Sequence, residues 1–418
     1  MRKGCLSMRT LKFNIYDEFA CTGTECQETC CQQWRITFTK KEYLSFRDLE
    51  CSQELRAKMD SAFERIKPGD ELHYAKIKLR EDGYCPMLDK DGLCMLQREK
   101  GESVMNIVCS TFPRNWELVG TDVVVFTLSP ACCHVVELFM QHPEGLALVE
   151  EEYNGKNKWI NKGMWIGGTF AQDSGAFPYI WHIKTAQLDI LQNRNFTIPE
   201  RLLILGYYTR KAYEYLETSP EKLERLGTMM LDNGMCREIA DSLRASLTEA
   251  DAAVRYVGML YILSKGVRSL KNPNIYLQKL IDTLVDNMEV DCVKNEEGQD
   301  MFRWNADTYA KNRELYRKIE EERPYIIENL LVNLAFGRLS ESAGELWADY
   351  FSLAVLYNFL RTGIAAFLHE SCSDAELAQA IAKIVKILIN SDLTKNMIMQ
   401  DFINNGLNSL PHVALLIN

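Results

Sequence analysis

The sequence predicts a mainly α protein: a helical bundle domain preceded by a small cysteine-rich module of mixed α+β character. Three observations carry that prediction. From Pro178 onward apolar residues recur every three or four positions, the spacing of helices with one buried face. Eleven of the 14 cysteines fall within the first 133 residues, where an even spread would place about four or five. The β-branched and Asp-Gly-punctuated stretches lie in that same N-terminal part. The expected division is a cysteine-bearing metal or iron–sulfur module over residues 1–145 and a helical domain over residues 146–418.

The elements follow in order. Thr39-Lys40-Lys41-Glu42 has the capping-box pattern, and the amphipathic run after it predicts a helix to about residue 66. Asp82-Gly83-Tyr84-Cys85-Pro86 and Asp89-Lys90-Asp91-Gly92-Leu93-Cys94 hold two Asp-Gly turn signals. Cys85 and Cys94 are therefore expected to flank a tight turn or short hairpin that brings two thiols together. A short helix is expected over 102–109, ending before Pro113, and a strand over 121–128; Pro130 then opens a helix bearing Cys132 and Cys133. Further helices are expected over 178–194, 199–216, 220–231, 250–263, 276–288, 306–322, 325–336, 345–369, 374–389 and about 394–404. Thr197-Ile198-Pro199-Glu200, Ser219-Pro220-Glu221 and Asn233-Gly234 supply their starts and stops. No residue pattern recurs at a fixed period, which points to a bundle rather than a solenoid. The charged run 311–323 reads as a solvated helix face with Tyr309 and Tyr316 packed inward.

With 47% hydrophobic and 25% charged residues in 418, the composition is that of a globular protein and excludes disordered and fibrous classes. Acidic residues outnumber basic ones 58 to 48, a formal charge of -10, which argues against nucleic acid and anionic lipid as partners. The longest apolar stretch, 123–140, is broken by Pro130, His134 and Glu137, and 351–368 contains Asn358 and Arg361, so neither reads as a membrane span. Met1-Arg2-Lys3 is followed by Arg9, Lys12 and Asp17 rather than by an apolar core, unlike a secretory signal. A cytoplasmic monomer is expected.

The cysteines decide the chemistry. A disulfide framework suits small exported domains, not a chain of this size. Packing as small hydrophobes accounts for Cys5, Cys51, Cys236, Cys292 and Cys372 but not for the clustering. Convergence on a metal or an iron–sulfur cluster accounts for both the density and the reducing compartment. The candidate ligands are Cys21, Cys26, Cys30, Cys31, Cys85, Cys94, Cys109 and Cys132, enough for two four-thiolate centres or an over-supplied single one. Thiolates select zinc or iron–sulfur, and no His lies at a spacing that completes a Cys2His2 site. Cys21-x4-Cys26-x3-Cys30-Cys31 has neither the repeated knuckles of zinc ribbons nor the ferredoxin run. The adjacent pair Cys30-Cys31 is expected to point its side chains in divergent directions.

Phe19-Ala20-Cys21, Cys26-Gln27-Glu28-Thr29-Cys30-Cys31-Gln32-Gln33-Trp34, Tyr84-Cys85-Pro86-Met87-Leu88, Gly92-Leu93-Cys94 and Cys109-Ser110-Thr111-Phe112-Pro113-Arg114 together resemble the flagellin lysine N-methylase family. Seven cysteines, a tryptophan and a Cys-x3-Pro-Arg fall in the family's order. The resemblance continues through Leu188-Asp189-Ile190-Leu191-Gln192-Asn193-Arg194, Pro199-Glu200-Arg201-Leu202-Leu203 and Glu328-Asn329-Leu330-Leu331-Val332-Asn333. Where the family has Ser-Cys-Pro, this chain reads Ser129-Pro130-Ala131-Cys132-Cys133, leaving Cys132 as a candidate ligand and Cys133 as a spare. The resemblance implies methyl transfer from S-adenosylmethionine to lysine amines of flagellin, with an iron–sulfur cluster, expected as 4Fe-4S with zinc as the alternative, in the N-terminal module.

A doubly wound methyltransferase would hold its donor at an E/D-x-G-x-G turn, and no such turn follows a strand here. Gly163-Met164-Trp165-Ile166-Gly167-Gly168 has the wrong spacing for a nucleotide turn. A cluster iron with an open position could instead chelate the amine and carboxylate of the donor's methionine end. Radical enzymes that do so use C-x3-C-x2-C, and Cys26-x3-Cys30-Cys31 departs from it. The sulfonium is already an activated donor, so in-line displacement suffices once the amine is neutral. Only about one lysine in a few thousand is neutral at pH 7. The sequence assigns no base. Arg114 reads either as a clamp for a donor carboxylate or as a structural ion pair, and Trp34 either as a stacking surface for adenine or as a shield for the cluster. His134 reads as a helix histidine. The rival readings are a non-enzymatic cluster carrier whose helical domain binds a partner, and a thiol redox protein.

Overall fold

The structure is a computed structural model. It describes residues 8–244, 289–367, 372–389 and 408–417, apart from 27, 28, 33, 35 and 299, together with single residues between 278 and 286 and at 403, 404 and 406.

Two sheets build the N-terminal part. The strands are β1 (Arg9–Phe13), β2 (Thr37–Phe38), β3 (Phe63–Arg65), β4 (Ala75–Ile77), β5 (Arg114–Val119), β6 (Val123–Leu128), β7 (Leu148–Glu152) and β8 (Gly168–Phe170). The larger sheet has the order β7-β1-β6-β5-β8, with β1–β6 and β5–β8 parallel and the other pairings antiparallel. β7 and β8 lie past residue 145, so this sheet runs across the division expected from composition.

The smaller sheet, β2-β4-β3, packs with the helices Lys40–Arg47 and Gln53–Ala62 around a separate core that includes Phe38, Phe46, Leu55, Met59 and Ile77. The capping box at Thr39 forms: its backbone N–H donates to Glu42 Oε2 at 2.9 Å, and the Glu42 N–H donates to Thr39 Oγ1 at 3.2 Å. The single helix expected over 39–66 is broken. Ser52 caps a second helix by accepting from the Leu55 N–H, and Phe63 leaves that helix as β3.

The larger sheet shares one core with the helical region. Ile180–Leu191, Ile198–Thr218, Leu223–Met229 and Asn233–Arg244 precede Ala306–Glu322, Tyr325–Phe336, Ala343–Phe367, Asp374–Ile389 and Leu410–Ile417. In Tyr325–Phe336 every residue from position 326 on is buried. Its two asparagines tie it to the N-terminal part, because Asn333 Nδ2 donates to the Leu128 carbonyl of β6 at 2.8 Å and Asn329 Nδ2 donates to the Phe139 and His142 carbonyls. A buried asparagine side chain facing open carbonyls at strand and helix ends satisfies groups that would otherwise be stranded.

The mainly α architecture is as expected, with one difference. β9 (Asp291–Lys294) and β10 (Asp300–Arg303) form an antiparallel hairpin inside the helical region, turning through Gly298 at φ 78°. Tyr316 is buried as expected; the side chain of Tyr309 lies outside the described residues. So do Cys5, the side chain of Cys292, the helix expected over 250–263 and most of those over 276–288 and 394–404. Among the described residues no helix is long and apolar enough to cross a membrane.

Candidate functional site

Five of the eight cysteines singled out in the sequence line one cavity of about 110 Å³: Cys30, Cys31, Cys85, Cys94 and Cys109. Local structure explains how they meet. The Cys85 N–H donates to the Cys31 carbonyl at 2.8 Å, and Gln32 bridges Tyr84, which fixes the 30–31 bend beside the 85–94 turn. That turn is a short hairpin: the Asp89 N–H donates to Leu93 O at 2.9 Å, Met95 N–H to Met87 O at 2.9 Å, and Leu88 bridges Cys94. Cys109 rides on the short helix Ile107–Thr111, whose cap Asn106 accepts from the Val108 N–H and donates to the Thr37 carbonyl and to Glu42 Oε1.

Cys30 and Cys31 do not diverge. The chain bends at both positions, both line the cavity, and their thiols are hydrogen-bonded to each other. That bond, together with the Lys386 ammonium, holds the Cys30 thiol below its ordinary value. The same bond pushes Cys31 up. Burial pushes Cys85 up to about 11 and raises Cys94 as well, and neighbouring sulfurs add to the rise. Lys386 comes from the helix Asp374–Ile389 and donates to the Thr29 carbonyl at 3.2 Å, so the helical region reaches the thiol loop.

A second thiol group lies next to the first. Cys133 is hydrogen-bonded to Cys26, and Cys132, pushed up to about 12 by burial, faces Cys26 and Cys30. The expected spare, Cys133, is thus the buried partner of Cys26. Cys21 is exposed and lines neither group. His134 pairs with Glu137 at 2.8 Å, as a helix histidine does. Among the described residues no three His, Cys, Asp or Glu side chains stand where they would hold a metal ion, so the five thiols share a cavity without closing on a common point. Their chemistry nonetheless fits a soft metal centre. Crowded thiols that raise one another's proton affinity ionise together only when a cation neutralises them.

Beside this cavity lies a larger cleft of about 550 Å³, within the range of small-molecule sites. Trp34, Ile36 and Phe112 line both spaces. Trp34 stands edge-on to Phe112 with ring centroids 4.3 Å apart, and its buried indole N–H has no acceptor among the described residues. Arg114 lines the cleft, donates to the Phe19 carbonyl at 2.7 Å and lies over the Phe19 ring. The opposite wall comes from the helical region through Asn333, Gly337 and Arg338.

Arg338 had no signal in the sequence. It is placed by Lys184, a buried lysine whose Nζ donates to Gln187 Oε1 at 2.9 Å, to the Ala335 carbonyl at 2.8 Å and to the Arg338 carbonyl. Burial pushes that amine down to about 8. The arrangement offers two guanidiniums, an indole N–H with no acceptor among the described residues and aromatic walls, which suits an anionic or zwitterionic ligand bearing a flat ring.

Residues 185–416 match the family model described as the FliB lysine N-methylase C-terminal domain. The chain is 33% identical over 137 residues to lysine-N-methylases of Salmonella typhimurium and of Salmonella choleraesuis, a stretch covering 32% of this chain and 33% of each relative. It is 33% identical over 138 residues to the flagellar biosynthetic protein FliU of Salmonella muenchen, covering 32% of this chain and 78% of that protein. The aligned stretch thus spans about a third of the length of the two lysine-N-methylases. No solved structure matches.

Proposed function

The chain belongs to the FliB lysine N-methylase family, and from that premise we propose that it transfers methyl groups from S-adenosylmethionine to lysine amines of flagellin. The observation that carries the reading is the wall shared by the two spaces: Trp34 and Phe112 separate a cleft of ligand size from a cavity lined by five cysteines. Donor and metal centre would then be neighbours.

In the cleft, the guanidinium of Arg114 or Arg338 pairs with the donor's carboxylate, and the Trp34 and Phe112 rings pack on its adenine, with the indole N–H finding the acceptor it lacks among the described residues. Cys30, Cys31, Cys85, Cys94 and Cys109 would hold an iron–sulfur cluster, with zinc as the alternative occupant. A bound cluster with an open iron supplies an anchor for the methionine amine and carboxylate. The transfer itself needs only a neutral amine in line with the methyl–sulfur bond, since the sulfonium already activates the methyl group.

The test incubates full-length protein, purified without air, with S-adenosylmethionine and flagellin and reads intact mass. A gain of about 14 Da for each methyl added to a lysine supports the proposal. Unmodified flagellin beside metal-loaded, donor-bound protein would favour the non-enzymatic carrier.

A further inference from the structure

β5 enters the cleft with Arg114 and Asn115, and Glu117 is the next residue on the same face of the strand as Asn115, about 7 Å further along. The cross-strand pairs Asn115–Thr127 and Glu117–Val125 set that face, and the Thr127 side chain packs on Gly337 of the opposite wall. On its other side β5 pairs with β8, register Glu117 to Gly168, and here the glycine-rich stretch 163–168 finds a purpose. A Cβ at Gly167 would lie 3.1 Å from Glu117 Cβ and 3.2 Å from its Oε2, tighter than ordinary packing. The glycine leaves the carboxylate room, and the preceding residue, Ile166, lines the cleft.

The two fully buried carboxylates among the described residues are saturated. Glu328 accepts from Arg194 and Arg201, and Glu200 accepts from Thr197, Arg237 and Arg244. The Glu117 side chain is partly buried, and among the described residues its carboxylate has neither a hydrogen-bond nor an ion-pair partner. We propose that Glu117 is the proton acceptor for the substrate lysine. The inference rests on the methyl-transfer reading and adds the base that reading lacks.

The chemistry balances. An N–H bond of the lysine ammonium breaks and an O–H bond forms on Glu117. The freed nitrogen lone pair forms the N–C bond as the C–S bond breaks, its electron pair staying on sulfur, and the methylammonium product leaves with the positive charge the donor brought. Burial raises the Glu117 carboxyl to about 8, with Glu341 and Asp349 adding to the rise and the nearby Lys184 opposing it. A carboxylate of that proton affinity accepts from an amine of pKa about 10.4 far more readily than an ordinary one near 4.3.

The test compares wild type, Glu117→Gln and Glu117→Asp as full-length, metal-loaded proteins, measuring methylation rate across pH and donor binding separately. Wild type is expected to rise with pH and level off near pH 8. Glu117→Gln is expected to bind donor as wild type does, lose about 100-fold in kcat at pH 7 and keep rising beyond pH 8, as a substrate amine titrating alone requires. Lys184 remains in the variant, so loss of the inflection assigns it to Glu117. A folded Glu117→Gln with the wild-type rate and profile overturns the inference while leaving methyl transfer intact. An inactive wild type overturns both. Should Glu117→Gln not fold, Glu117→Asp decides: a displaced inflection supports the assignment, and an unmoved one overturns it.

Discussion

Arg201 Nη1 donates to Glu328 Oε2 at 2.6 Å, with both side chains buried, 4% and 1% exposed. Arg194 closes the other side of the carboxylate, donating from Nη2 to Oε1 at 2.8 Å. The three residues come from the three helical-region stretches that carry the family resemblance, so their shared feature is one buried ionic joint. Removing the carboxylate strands the buried Arg201 guanidinium. Glu328→Ala is expected to destabilise the fold by about 3–5 kcal/mol, read from urea unfolding. A loss under about 1 kcal/mol would show that the joint is solvated.

Glu117 also makes a prediction about stability that needs no substrate. Its proton affinity in the fold, about 8, exceeds the ordinary 4.5, so it stabilises fully below pH 4.5 and that contribution is lost as pH rises toward 8. Glutamine mimics the protonated form. Glu117→Gln should therefore melt like wild type near pH 4 and above it at pH 8, by an amount of order a few kcal/mol. Equal melting at both values would place the carboxylate in water.

The thiols should divide into those that hold the metal centre and those that do not. Cys94→Ala or Cys30→Ala is expected to abolish iron and sulfide in anaerobically purified protein. Cys21→Ala, outside the cavity, should retain both. Colourless protein carrying stoichiometric zinc would select the alternative occupant.

Arg114→Met and Arg338→Met test the cleft. Loss of a charge-assisted hydrogen bond costs about 1.5–3 kcal/mol, so donor affinity should fall by about 10- to 100-fold in at least one of the two variants. Unchanged donor binding calorimetry in both would move the donor elsewhere.

The sequence made the helices legible because caps and apolar periodicity are local. Ala306–Glu322, Tyr325–Phe336 and Asp374–Ile389 end where the spacing says they should. The Cys85–Cys94 hairpin was legible for the same reason, through its two Asp-Gly turns. β1 and β8 were not, since each is a short strand completed by a parallel partner, and β1 pairs with β6 more than a hundred residues away. The meeting of Cys109 with Cys31 depends on the same long-range assembly. Glu117 looked like any acid in Asn115-Trp116-Glu117, because its character comes from burial beside Lys184, Glu341 and Asp349.

The most direct test of lysine methyl transfer is intact-mass analysis of flagellin after reaction with S-adenosylmethionine and the anaerobically purified full-length protein. Mass gains in steps of about 14 Da, mapped to lysines and absent when the donor is omitted, are the expected result. Flagellin of unchanged mass, with donor binding and metal content both demonstrated in the same sample, would contradict it.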